Sequence, residues 1–83
     1  MAPVRIEFTV EPFVDGQPGP HVLSAIAAVE GSGLPVDVGP FSSIADVPSE
    51  ALGSTVADLV RAAFEHGATG LTLRLDRVQG EVG

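Results

Sequence analysis

The sequence predicts an α+β sandwich with the element order β-α-β-β-α-β, and three observations carry that prediction. Residues 4–10 and 71–76 alternate apolar with polar side chains, the period of a half-buried strand. Residues 22–29 and 52–64 space their apolar side chains as amphipathic helices do. Between the helical segments, residues 32–46 are punctuated by Gly33, Pro35, Gly39 and Pro40, which read as a helix stop followed by a short hairpin. Two right-handed βαβ units joined in this order give the split-βαβ, ferredoxin-like sandwich: a four-stranded antiparallel sheet with two helices on one face. Strands one and three are then central, and strands two and four lie at the edges.

Each element has a local reason. In the first strand Val4, Ile6, Phe8 and Val10 alternate with Arg5, Glu7, Thr9 and Glu11, and Pro12 ends the ladder. Residues 13–20 hold the turn dipeptides Asp15-Gly16 and Pro18-Gly19 and read as a loop. Pro20 suits a first helical turn. Val22, Leu23, Ile26 and Val29 form the expected buried stripe of the first helix, stopped by a left-handed Gly31 or Gly33 and by Pro35. Residues 36–38 and 41–45 make the two short strands, folded at Gly39-Pro40. Pro48-Ser49-Glu50 opens the second helix, although Gly53 weakens its first turn and allows a start as late as Ser54. Its expected stripe is Leu52, Val56, Leu59, Val60, Ala63 and Phe64, and Gly67 is its stop. Leu71, Leu73 and Leu75 belong to the last strand. Residues 1–78 read as a single domain and 79–83 as a flexible tail.

Composition limits the function. At 83 residues the chain holds one small domain, which buries about 60% of its unfolded surface. Lacking Trp, Tyr and Cys, it must fill its core with aliphatic side chains and four Phe. Small cores favour association. The net charge of −7, from eleven acids against four Arg, excludes the clustered cations that a nucleic-acid backbone requires. The absence of Cys removes disulfide, zinc-thiolate and thiol-nucleophile chemistry. No basic leader with an apolar run precedes the first strand, and no apolar stretch approaches the ~20 residues of a membrane span. The expectation is a cytoplasmic protein that contacts neither membrane nor nucleic acid.

The polar sheet face is expected to carry Arg5, Glu7, Thr9, Glu11, Thr72 and Arg74, with Glu7 and Arg74 able to pair across neighbouring strands. Two uses of that face stand open: a solvated surface, or a surface that meets another subunit's sheet.

The hairpin region carries a family resemblance. Ser32-Gly33-Leu34-Pro35, then Val38-Gly39-Pro40-Phe41-Ser42-Ser43, then Asp46, resembles the small thiamine-binding protein family, the YkoF-like group. The opening strand ending at Pro12, the second helix over 56–65 and the Gly67-Ala68 step agree with it, so that it spans residues 4–78. The resemblance implies a ferredoxin-like subunit that binds thiamine or its hydroxymethylpyrimidine moiety without transforming it. It implies no cofactor, and assembly through the sheets into dimers or tetramers. The chain departs from the family pattern at Val36, Phe41, Ser43 and Asp46-Val47, where Tyr, Met, Thr and Glu-Gly are usual. Those departures point to a relative of thiamine as readily as to thiamine itself.

An aminopyrimidine needs an acceptor for its amino group, donors for its ring nitrogens and a flat apolar wall, and a thiazolium favours nearby acids. Asp37, Phe41, Ser42, Ser43 and Asp46 offer these types on one hairpin, and Glu11 and Phe13 add to the wall at the end of the first strand. Each has a structural alternative. Ser42 and Ser43 suit an edge strand, Phe41 a core, and Asp46 the N-cap of the second helix. His21 and His66 lie near helix ends and take no catalytic or metal role here. His66 is explained by the helix dipole.

No phosphate loop, zinc-protease motif or nucleophile elbow is present. The Arg-Asn pair of acylphosphatases is impossible without Asn. The chain is therefore read as non-catalytic, a carrier or sensor of a thiamine-like ligand. The alternative is an oligomeric interaction module with no small ligand.

Overall fold

The computed structural model describes residues 3–12, 19–31, 33–39 and 42–78. The strands are β1 (Val4–Glu11), β2 (Asp37–Val38), β3 (Ser43–Val47) and β4 (Gly70–Arg77). The helices are α1 (Pro20–Glu30) and α2 (Leu52–Glu65), the latter entered through a 3-10 turn at Ser49–Ala51. The sheet order is β2-β3-β1-β4 and every pairing is antiparallel. This is the α+β ferredoxin-like sandwich, with β1 and β3 central. The expected tail at 79–83, the loop residue Phe13 and the hairpin residue Phe41 lie outside the described residues.

The core sits between the sheet and the helices. Ile6, Phe8 and Val10 of β1 and Ala45 and Val47 of β3 meet Ala25, Ile26 and Val29 of α1 and Leu59 and Ala63 of α2. Leu71 and Leu73 of β4 pack against its edge. Strand alternation places these side chains on one face and leaves the polar set on the other, as the period of two requires.

The helices are rotated relative to their expected stripes. In α1 the buried positions are His21, Ala25, Ile26 and Val29, while Leu23 points to solvent. Ala25 lets the helix approach the sheet closely, and that turns Leu23, two residues from either neighbour on the stripe, outward. In α2 the buried positions are Thr55, Leu59 and Ala63, and Val60 and Phe64 lie on an exposed flank. The Oγ1 of Thr55 is buried without a hydrogen-bond partner.

Terminations follow glycine chemistry. Gly31 is right-handed, and Gly33, at φ +84°, supplies the left-handed residue after α1. Gly67 does the same after α2 at φ +103°, and Ala68 N–H closes onto Ala63 O at 3.0 Å. The second helix does not wait for Ser54. Leu52 and Gly53 are both helical, because the 3-10 turn has already nucleated it.

Candidate functional site on the open sheet face

Alternation along β1 puts Arg5, Glu7, Thr9 and Glu11 on the face away from the helices. Register then aligns rows across the sheet. Asp37 opposes Ile44, Ile44 opposes Glu7, and Glu7 opposes Arg74, so one row reads Asp37–Ile44–Glu7–Arg74. The neighbouring row reads Asp46–Arg5–Asp76.

Within the first row Glu7 is the hub. Ser42 Oγ donates to Glu7 Oε2 at 2.9 Å in a partly buried contact between residues 35 positions apart. Ile44, beside Glu7, is half-buried and supplies an apolar wall. The predicted Glu7–Arg74 ion pair does not form, although the two residues directly oppose each other. Arg74 instead holds Asp76, two residues along its own strand, at 2.7 and 3.4 Å. The fork of the guanidinium finds both carboxylate oxygens there without crossing the sheet.

In the second row Arg5 holds Asp46 at 2.8 and 3.1 Å. That pairing overturns the N-cap reading of Asp46. The side chain lies in β3 on the open face, and the turn before α2 begins after Pro48 without a side-chain cap. The hydrogen bond from Arg5, more than its charge, holds the Asp46 carboxyl below the ordinary value of 3.8. Arg74 acts on Asp76 in the same way.

The sequence-predicted site residues thus separate. Ser42 joins Glu7, and Asp37 lies two strands over in the same row. Glu11 is exposed at the end of β1 on that face, its side chain lying over Gly70. Ser43 points the other way. It is buried opposite Phe8 on the helix-covered face, as strand alternation demands of the residue after Ser42. Asp46 is committed to Arg5. Phe13 and Phe41 are outside the described residues.

Two residues have contacts that the sequence reading did not assign. Glu7 is the hub of the row, and its position at the middle of the polar face of the central strand was the available signal. His21 is buried at the start of α1 and donates from Nε2 to the carbonyl of Pro12, tying the end of β1 to the helix. Nothing in the local pattern signals that contact. His66 sits at the C-cap of α2 and donates from Nδ1 to Ala62 O at 2.8 Å. Among the described residues no group of three or more potential metal ligands occurs, and no helix is long and apolar enough to cross a membrane.

The fold and the face together define a class: a ferredoxin-like domain with a polar open sheet centred on a hydroxyl-held carboxylate. Three solved structures share the architecture. A Thermotoga maritima protein provisionally assigned to thiamine biosynthesis or salvage is 28% identical with a TM-score of 0.64, covering 89% of this chain and 80% of that one. A Streptococcus pneumoniae protein is 18% identical with a TM-score of 0.63, covering 96% and 89%. A domain of unknown function from Bacillus cereus, DUF77, is 20% identical with a TM-score of 0.57, covering 90% and 73%. The first supports the resemblance to the thiamine-binding group, and the other two show the fold. No family model matches the chain, and no curated protein matches it.

Proposed function

We propose that the open sheet face binds thiamine or a related aminopyrimidine without transforming it. The observation that carries this reading is the Ser42–Glu7 contact at 2.9 Å beside Ile44. A carboxylate is the acceptor that an exocyclic amino group needs, and the hydroxyl fixes its orientation. Ile44 gives the flat ring an apolar wall. Asp37 and Glu11, exposed on the same face, suit the fixed positive charge of a thiazolium. The likeness to the Thermotoga maritima protein supports the ligand class. Phe13, Phe41 and Asp46 keep the subordinate roles implied by the family resemblance, whereas Ser43, buried on the helix-covered face, does not reach a ligand on the open face. The protein acts as a carrier or sensor, and the same face meets the sheet of another subunit.

Calorimetric titration with thiamine and with hydroxymethylpyrimidine tests the reading. Saturable heat is expected, with affinity weakened at least ~10-fold by Glu7→Gln and less by Ser42→Ala, in keeping with loss of a hydrogen bond to a charged group. Absence of heat at millimolar ligand, with the protein folded by circular dichroism, rejects the binding reading. An unchanged affinity in Glu7→Gln moves the site off this row.

The second reading is an interaction module with no small ligand. Exposed Leu23, Val38, Phe64 and Leu75 favour it, since apolar side chains of that size gather at protein contacts.

A further inference from the structure

Arg5 and Arg74 are the arginines of the open face. Arg61 lies on α2, and Arg77, opposite Val4, belongs to the helix-covered face. Each arginine of the open face has two carboxylates within reach. Arg5 stands between Asp46 and Asp76 in its row, and Arg74 stands directly opposite Glu7 and next but one to Asp76. Directly opposed side chains start only ~5 Å apart at Cβ, so Arg74 could reach Glu7 without any change in the strands. Arg5 takes Asp46, and Arg74 takes Asp76.

The choice made by Arg74 has a local cause. Asp76 presents both of its oxygens to the guanidinium, at 2.7 Å from Nε and 3.4 Å from Nη2. Glu7 has one oxygen, Oε2, already engaged by the Ser42 hydroxyl. A planar fork is better satisfied by two free oxygens than by one. The hydrogen bond to Asp76, then the charge of Asp76, raises the pKa of Arg74, and the charge of Glu7 adds the least. The side chains of Arg74 and Asp76 are 72% and 52% exposed. Their mutual hold is therefore modest, and the pairing with Glu7 lies close to it in energy.

The result is a face whose cations are neutralised and whose remaining acids are not. Among the described residues the ion pairs are Arg5–Asp46, Arg61–Asp58 and Arg74–Asp76, so Glu7, Glu11 and Asp37 meet no guanidinium.

We propose that Asp76 is a specificity-determining residue of this face: by holding Arg74 along β4 it keeps the guanidinium off Glu7, and the face takes a cationic aminopyrimidine in preference to its phosphate ester. The proposal rests on the aminopyrimidine reading above. With Arg74 held aside, Glu7 stays an unshared acceptor for the exocyclic amino group. A thiazolium charge meets Glu7, Glu11 and Asp37 favourably. A phosphate on the same ligand meets the same carboxylates with no uncommitted cation to receive it, and is rejected by like charge. Asp76 acts only through Arg74 and is a positioning residue.

Calorimetry on the full chain with thiamine and with thiamine monophosphate tests this. The wild type is expected to bind thiamine at least ~10-fold more tightly than the monophosphate. Asp76→Asn releases Arg74 to cross to Glu7 or to meet the phosphate. Either movement narrows the ratio, by ~3–5-fold, the worth of one exposed ion pair. Adding Arg74→Gln to Asp76→Asn is expected to restore the ratio. Asp58→Asn, the same charge change at the Asp58–Arg61 pair on α2, is expected to leave it unchanged. Magnetic resonance of the arginine Nε–H groups needs no ligand. In Asp76→Asn the Arg74 signal is expected to move when Glu7→Gln is added, and to move far less when Glu7→Gln is made in the wild type. Absence of heat with both ligands rejects the aminopyrimidine reading and this proposal with it. Equal affinity for the two ligands in the wild type overturns this proposal alone. So does a ratio unchanged by Asp76→Asn, an equal narrowing in Asp58→Asn, or an Arg74 signal in Asp76→Asn that ignores Glu7→Gln.

Discussion

Asp46 shows how one side chain is reassigned by its surroundings. Its carboxyl is held below its ordinary value by Arg5, across the sheet and 41 residues away in sequence. A carboxyl with a depressed folded pKa contributes stability above its unfolded pKa, and the contribution is lost as pH falls through the folded value. The window therefore lies below about pH 4. Asp46→Asn is expected to lower the urea midpoint slightly at pH 7 and to leave it unchanged well below pH 4, so that the acid limb of stability is flatter. The effect is small, because both partners are about half exposed and solvent screens them. Thr55 offers a second test. Its buried Oγ1 lacks a partner, so Thr55→Val keeps the shape and removes a desolvation penalty. The variant is expected to be more stable by about 1 kcal/mol in denaturant titration. A loss of stability would mean that the hydroxyl is satisfied in solution.

At the scale of elements, the termini and starts of α2 are governed by two glycines that differ only in backbone conformation. A Cβ at Gly53 or at Gly67 meets nothing within 4 Å, so neither is required for space. Gly53 is helical and exposed, and Gly67 has φ +103°. Gly53→Ala is expected to stabilise by about 0.5–1 kcal/mol through helix propensity and reduced unfolded-state entropy. Gly67→Ala is expected to destabilise by about 1–2 kcal/mol, the cost of an L-residue on the left-handed side. Thermal unfolding of the two variants checks the opposite signs. Strands and stops of this kind are legible from sequence, because a period of two or a glycine after a helix is a local property of the backbone. The rotation of a helix on the sheet is not. Leu23, Val60 and Phe64 fit apolar stripes as well as their buried neighbours do, and only close approach at Ala25, Thr55 and Ala63 selects the inward side.

For the whole molecule, a single core, aliphatic but for Phe8, covers one face of the sheet and thins out at β4. Leu71 and Leu73 reach that core's edge, and Leu75 does not. A chain of 83 residues has little apolar surface to spare, and Leu75 of β4 and Val60 and Phe64 of α2 stay exposed beyond the core's edge. The polar face, with the Ser42–Glu7 contact, lies on the other side of the same sheet.

Local pattern suffices for the order of elements, the division of the sheet into an apolar and a polar face, the central place of the first and third strands and the glycines that end the helices. These are set by local periodicity and by connection rules that act on neighbouring segments. Which distant polar groups meet is settled only in the folded sheet: Ser42 with Glu7, Asp46 with Arg5, and Ser43 turned into the core opposite Phe8. Strand register and helix rotation make those choices. Both are fixed by packing between segments 35 to 41 residues apart, a distance over which no sequence pattern carries the geometry.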